Sequence, residues 1–129
     1  MSSADDYRFT KTHEWARLTE DGLVEVGITD FGQQQLTDIV NVELPEVGDY
    51  AFQAGEEMGV VESVKTASDY YAPVAGTIEA VNDSLLDSPE KINEDALGEG
   101  WIVRIKPSDV EDLESLLTGA EYDSSLPED

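Results

Sequence analysis

Glu62-Ser63-Val64-Lys65-Thr66-Ala67-Ser68-Asp69 joins two segments that both have the composition of strands. Before its tip runs Gly59-Val60-Val61-Glu62-Ser63-Val64. After it comes Tyr70-Tyr71-Ala72-Pro73-Val74-Ala75-Gly76-Thr77-Ile78-Glu79-Ala80-Val81, and both runs are rich in β-branched and aromatic residues and poor in helix signals. The pair predicts a hairpin with Lys65 near its end. Backbone ladders on either side hold such a lysine while its long, flexible side chain points into solvent, the presentation an enzyme needs to acylate the amine. Lysines on solvated turns are also common without any such role. Local chemistry leaves both readings open.

Toward the N-terminus, Tyr7-Arg8-Phe9-Thr10-Lys11 reads as an edge strand. Trp15-Ala16-Arg17-Leu18-Thr19 and Leu23-Val24-Glu25-Val26-Gly27-Ile28 flank Glu20-Asp21-Gly22, where Asp-Gly is a strong hairpin signal. Thr29 or Asp30 caps a short surface helix that runs through Leu36. Ile39-Val40-Asn41-Val42-Glu43-Leu44 alternates, placing Val40, Val42 and Leu44 on one face until Pro45 and Gly48-Asp49 end it. Tyr50-Ala51-Phe52 then leads to the lysine hairpin.

Beyond the hairpin, Asp83-Ser84-Leu85-Leu86-Asp87 runs into Ser88-Pro89-Glu90, a helix-start signature. Asn93 to Gly100 reads as a polar loop. Trp101-Ile102-Val103-Arg104-Ile105-Lys106 returns to period two, with Trp101, Val103 and Ile105 expected together in the core, and Pro107 ends it. Ser108 and Glu111 fit a capping box. They predict a C-terminal helix over about 108–118 with Val110, Leu113, Leu116 and Leu117 as the stripe that docks on the strands, followed by an acidic tail over 119–129. Many short strands, glycine and proline turns and one clear helix make the chain mainly β, a sandwich or barrel with peripheral helices.

A length of 129 residues suits one domain, with its core over about 7–107, burying roughly 65 to 70% of the unfolded surface. The absence of cysteine excludes disulfides, thiolate nucleophiles and thiolate zinc sites. Thirty acidic residues against seven basic ones give a formal net charge of -23, which disfavours nucleic acid and anionic membranes as partners. Such an excess, with only four lysines (Lys11, Lys65, Lys91 and Lys106), matches the cytosolic proteins of salt-accumulating halophiles. An acidic docking surface is the alternative, and the two are compatible. The start of the chain has no signal-peptide pattern and no run reaches membrane-spanning length, so a cytoplasmic location is expected.

Enzymatic chemistry finds little support in these residues. His13 is the only histidine, so a serine or threonine nucleophile has one possible imidazole base, and beside Glu14 and Trp15 it reads as a structural hydrogen bonder. Glu56-Glu57 and Glu111-Asp112 lack the spacing of an oxygen-ligand loop, so no metal site is expected. No glycine-rich phosphate loop is present.

The lysine segment followed by Ala72-Pro73-Val74-Ala75-Gly76 resembles the lipoylation segment of the glycine cleavage system H protein family. The resemblance continues through Thr12-His13-Glu14-Trp15, Val26-Gly27-Ile28-Thr29-Asp30, Gln35-Leu36, Asp38-Ile39-Val40, Val42-Glu43-Leu44-Pro45 and Gly98-Glu99-Gly100-Trp101 with Ile105-Lys106-Pro107, in order along nearly the whole chain. It implies the flattened, pseudo-symmetric β barrel of lipoyl and biotinyl carriers, the barrel-sandwich hybrid, with short peripheral helices and a C-terminal helix. It implies lipoic acid in amide linkage to Lys65, with Glu62 and Ser63 in the surface that the lipoylating enzyme reads. It further implies a shuttle that is not itself an enzyme and is expected to be a monomer. A pyridoxal phosphate-dependent glycine decarboxylase would load its arm with the aminomethyl group of glycine. A tetrahydrofolate-dependent aminomethyltransferase would unload it, and an FAD-dependent dihydrolipoyl dehydrogenase would reoxidise it. Thr12, Glu14 and Asp69 match family positions that line the cleft receiving the arm. The sequence departs from the family at Asp30-Phe31-Gly32-Gln33, where a histidine and an alanine are expected after the aspartate. Other lipoyl or biotin carriers fit less well, because Val64 and Thr66 flank Lys65 where those show aspartate and alanine or methionines. A lipoate relay and a non-acylated acidic interaction module are the remaining alternatives.

Overall fold

The computed structural model describes residues 7–48 and 50–126. Two antiparallel sheets face each other. The larger has six strands: β1 (Tyr7–Phe9), β2 (Glu14–Leu18), β3 (Val24–Ile28), β9 (Val103–Pro107), β8 (Gly76–Val81) and β5 (Ala51–Phe52), in that spatial order. The smaller has β4 (Ile39–Glu43), β6 (Glu57–Ser63) and β7 (Ala67–Tyr71). The Asp-Gly turn forms as the sequence predicts, with Gly22 at φ 82°, a left-handed conformation that costs a glycine nothing. Leu18 then pairs with Val24 across the β2–β3 hairpin.

Period-two patterning supplies the core. Val24, Val26, Ile78, Val103 and Ile105 of the larger sheet meet Val42, Val61 and Tyr70 of the smaller. Each such aliphatic side chain, fully buried, contributes roughly 1.5 to 3 kcal/mol. Strand β3 is buried on both faces. Its outer face carries Glu25, held by Arg17 at 2.8 Å and Arg104 at 2.9 Å. Beside it a second apolar cluster, Phe9, Trp15 and Tyr122, pins down the N- and C-terminal segments.

Three sequence expectations are corrected here. Val40 was expected inside with Val42, but the register of β4 against β6 shifts between Ile39 and Asn41. That bulge inserts one residue and reverses the alternation, so Ile39 and Val42 are buried and Val40 is 54% exposed. Trp101 was expected on the core face of the last strand, yet β9 begins only at Val103. Ile102 takes the buried place, its N–H donating to the Val26 carbonyl at 2.7 Å, while Trp101 is half-buried with the Arg104 guanidinium 4.1 Å above its ring.

The third correction concerns the C-terminal helix. Instead of one helix over 108–118, a 3-10 helix spans Val110–Ser115, with Asp109 rather than Ser108 accepting from the Glu111 N–H at 2.9 Å. Extended backbone at Leu116 ends it, and Leu117 exchanges two backbone hydrogen bonds with Phe9, at 2.8 and 2.9 Å. Helix α4 then runs over Gly119–Ser125, inside the stretch expected to be tail, behind a complete capping box of Thr118 and Glu121. Both Ser108-x-x-Glu111 and Thr118-x-x-Glu121 carry the signature. The pairing of Leu117 with β1 decides for the second. Leu113 and Leu116 still pack on the main core and Leu117 on the second cluster, whereas the Val110 side chain and residues 127–129 lie outside the described residues. Three further short helices decorate the barrel: α1 (Asp30–Leu36), α2 (Ser84–Asp87) and α3 (Lys91–Glu94).

Candidate functional site: the lysine turn and the cleft beside it

Strands β6 and β7 pair from Glu57 and Tyr71 out to Glu62 and Ala67, leaving Lys65 in the turn beyond the last pair. Ser63 closes that turn. Its N–H donates to the Thr66 carbonyl at 2.7 Å, and its hydroxyl oxygen accepts from the Lys65 N–H at 3.2 Å and the Thr66 N–H at 3.1 Å. The hydroxyl proton returns to the Thr66 carbonyl at 3.1 Å. A second backbone bond ties the Val64 N–H to the Asp38 carbonyl at 3.0 Å, bracing the turn from the neighbouring strand. Glu62 is held toward the same strand, accepting from the Asn41 amide at 2.6 Å. Lys65 itself is exposed on a rigid base.

Down the hairpin lies an open cleft of about 110 Å3. Val61, Ser68 and Asp69 come from the hairpin, Thr12 and His13 from the β1–β2 corner, Ile28 from the end of β3, and Gly32, Gln35 and Leu36 from α1. Its floor is apolar, since Ile28, Leu36 and Val61 are buried, while Thr12 and Asp69 are exposed. Asp69 lies two residues into β7, about 7 Å along the strand from Ala67, where the Lys65 turn ends. A long, mostly apolar acyl chain on Lys65 fits such a setting, with an exposed amine at one end and an apolar cleft bearing a hydroxyl and a carboxylate within reach.

The three cleft residues expected from sequence do not occupy equivalent places. Thr12 and Asp69 line the cleft. Glu14 lies behind it, 1% exposed, with one carboxylate oxygen accepting from the hydroxyls of Thr10 and Thr12, both at 2.5 Å, and the other from the Tyr71 N–H at 3.3 Å. Burial raises its pKa above the usual carboxylate value, and those hydrogen bonds pull partly the other way. Its direct contribution to the cleft is to orient Thr12.

His13 makes the structural hydrogen bond expected of it, Nδ1 lying 2.6 Å from the Tyr122 hydroxyl, but it also lines the cleft. The departure at Phe31 and Gly32 belongs to the same corner. The Phe31 ring packs 4.9 Å from the His13 imidazole, and a Cβ on Gly32 would fall 2.9 Å from Ile28 and 3.2 Å from His13 Cβ. Ile28, Gln35 and Leu36 were missed as site residues because apolar strand and helix positions carry no chemical signature, although Gln35-Leu36 lies in a stretch that resembles the family.

Comparison with known proteins places this arrangement. The family model described as glycine cleavage H-protein matches residues 7–129. The chain belongs to the glycine cleavage system H protein family. A Psychrobacter H protein is 53% identical over 121 residues, covering 94% of this chain and 95% of that protein. An Acinetobacter baumannii H protein is 52% identical over 126 residues, covering 98% of this chain and all of the other. The crystal structure of the H protein from Mycobacterium marinum superimposes with a TM-score of 0.84 at 42% identity, covering 93% of this chain and 95% of that one. As a member of the family, the chain is a lipoyl-carrying shuttle of the glycine cleavage system and folds as a lipoyl-carrier barrel.

Proposed function

We propose that Lys65 is the lipoyl attachment site and that the cleft of Thr12, His13 and Asp69 receives the loaded arm. The observation that carries this reading is the rigid turn of Ser63 to Thr66, which offers an exposed lysine at the end of a hairpin that forms one wall of an apolar-floored cleft. When attached, lipoate supplies a dithiolane that takes up the aminomethyl unit of glycine. The rest is done by this chain's residues. Ser63 fixes the base of the arm, and Ile28, Leu36 and Val61 exclude water along its path. The Asp69 carboxylate favours a protonated amine at the far end by about 0.2 to 1 kcal/mol, as for other partly exposed ion pairs. Glu14 holds the Thr12 hydroxyl in place from behind.

The partners that follow are the pyridoxal phosphate-dependent glycine decarboxylase, the tetrahydrofolate-dependent aminomethyltransferase, the FAD-dependent dihydrolipoyl dehydrogenase and a lipoylating enzyme, all in the cytoplasm. The lipoylating enzyme reads Glu62 and the exposed side chains around Lys65, since the Ser63 hydroxyl is engaged within the turn. On this reading the chain presents and protects cargo while its partners do the bond chemistry. Lys65→Arg keeps the charge and removes the acylatable amine. Intact mass and peptide mapping after expression with a lipoylating enzyme are expected to show one lipoyl group on Lys65 of the wild type and none on the variant. Lipoylation of the arginine variant at another lysine overturns the assignment.

A further inference from the structure

Tyr122 sits on α4, outside the cleft, yet its hydroxyl touches both of the cleft's non-hairpin walls. It lies 2.6 Å from His13 Nδ1 on the β1–β2 corner and 2.7 Å from Thr29 Oγ1, the N-cap of α1. Thr29 Oγ1 also accepts from the Gly32 N–H at 3.0 Å, and between it and the Tyr122 hydroxyl either oxygen can donate. The Tyr122 hydroxyl pairs with His13 Nδ1, and in a neutral imidazole this bond selects the tautomer. Burial of His13, which lowers its pKa, favours that neutral form. The result is a continuous hydrogen-bonded chain from the α1 backbone through Thr29 and Tyr122 to His13.

The His13 backbone is held on both sides, its N–H donating to the Thr10 carbonyl at 3.2 Å and its carbonyl accepting from the Thr29 N–H at 2.9 Å, which leaves the imidazole to be placed. Its φ of 72° is in the left-handed region, uncommon for a residue with a side chain and kept only where the surroundings enforce it. The conformation at His13 directs the chain on either side, toward Thr12 in the cleft and Glu14 behind it. Opposite, Thr29 starts the helix that contributes Gln35 and Leu36. Tyr122 is 4% exposed and its ring stacks on Phe9 at 4.9 Å, so the hydroxyl is placed by packing rather than by solvent.

We propose that the Tyr122 hydroxyl is the positioning group of the His13 side chain in the arm cleft, a latch by which α4 fixes the imidazole against the α1 wall, whose backbone spacing is set by the Thr29 N–H donating to the His13 carbonyl at 2.9 Å. The proposal rests on the reading of the cleft as the arm's receptor, and it adds a residue that never meets the cargo. Tyr122→Phe removes one oxygen and keeps the ring stack. Thr118→Ala weakens α4 at its cap and keeps the hydroxyl.

The first measurement uses protein without lipoate. In nitrogen-15 spectra, Tyr122→Phe is expected to shift the His13 Nδ1 resonance and to speed exchange of the Gly32 N–H by roughly fivefold, the population change that loss of one net hydrogen bond produces. Thr118→Ala, compared as a control, is expected to leave the His13 resonance in place. An unchanged His13 resonance and Gly32 exchange rate in Tyr122→Phe overturns the latch. The second measurement times formaldehyde release from the loaded carriers without partner enzymes. Faster release from Tyr122→Phe, with lipoylation of Lys65 normal, supports the proposal. Equal release despite the spectral change limits Tyr122 to fold maintenance and overturns its role at the cleft. Failure of wild type to take lipoate on Lys65 overturns the carrier reading instead, and intact mass reveals it before any variant is compared.

Discussion

Glu14 shows at the scale of one side chain how a buried carboxylate orders its neighbours. Its two oxygens have three donors aimed at them from other residues, Thr10, Thr12 and Tyr71. Glu14→Gln keeps the shape but loses one acceptor, so that an amide NH2 either faces the Tyr71 N–H or makes the Thr10 and Thr12 hydroxyls accept instead of donate. The expected loss is about 1 to 3 kcal/mol in chemical denaturation. A pH dependence accompanies it. Because burial raises the folded-state pKa of Glu14, the native state holds more protons than the unfolded chain between the unfolded carboxylate value and that raised value. The stability due to this group is therefore fully present at acid pH and declines as pH rises through the folded pKa. The glutamine variant lacks that slope. The stability advantage of wild type over Glu14→Gln should be largest near pH 4 and shrink toward neutrality, and a difference that grows instead would contradict the burial argument.

At the scale of elements, what was legible in the sequence depended on how local the cause was. The Asp-Gly hairpin, the Thr29 cap and the lysine turn are decided by neighbouring residues, and each appears where the sequence places it. Val40 went wrong because a bulge is set by the partner strand, and nothing between Ile39 and Leu44 announces it. The C-terminal segment went wrong because two capping boxes competed and the choice was made by Phe9, more than a hundred residues away. Thr12, Asp69 and Lys65 were legible as a constellation only through family resemblance, because alternation along a strand does not say which sheet its neighbour joins. Helix α4 spans seven residues, too short to persist without its cap and its packing. Removing the Thr118 hydroxyl by Thr118→Ala should cost about 0.5 to 2 kcal/mol of stability in denaturant titration. The loss is expected as faster amide exchange along Gly119–Ser125, with the lysine hairpin unaffected. An unchanged exchange pattern would mean that packing of Tyr122 alone holds the helix.

For the whole molecule, charge dominates. Arg17 and Arg104 share the single carboxylate of Glu25, so the other five cations stand against twenty-nine acids, whose mutual repulsion the fold must bear. Raising potassium chloride from millimolar to molar screens that repulsion and should raise the melting temperature. A flat or falling curve would remove the halophile expectation and leave the carrier assignment standing. The same molecule has sheet edges to protect, and the bulge at Val40 bears on them. Strand β4 borders the smaller sheet, next to the turn that carries Lys65, where a flat row of free backbone groups would template growth by a second chain. The extra residue breaks the spacing of those groups midway, so an incoming strand loses its ladder after a few bonds. With α2 packed on β4 and the Ile39 N–H already given to the Asn93 side chain at 2.9 Å, little of that edge is left for a second copy to pair with.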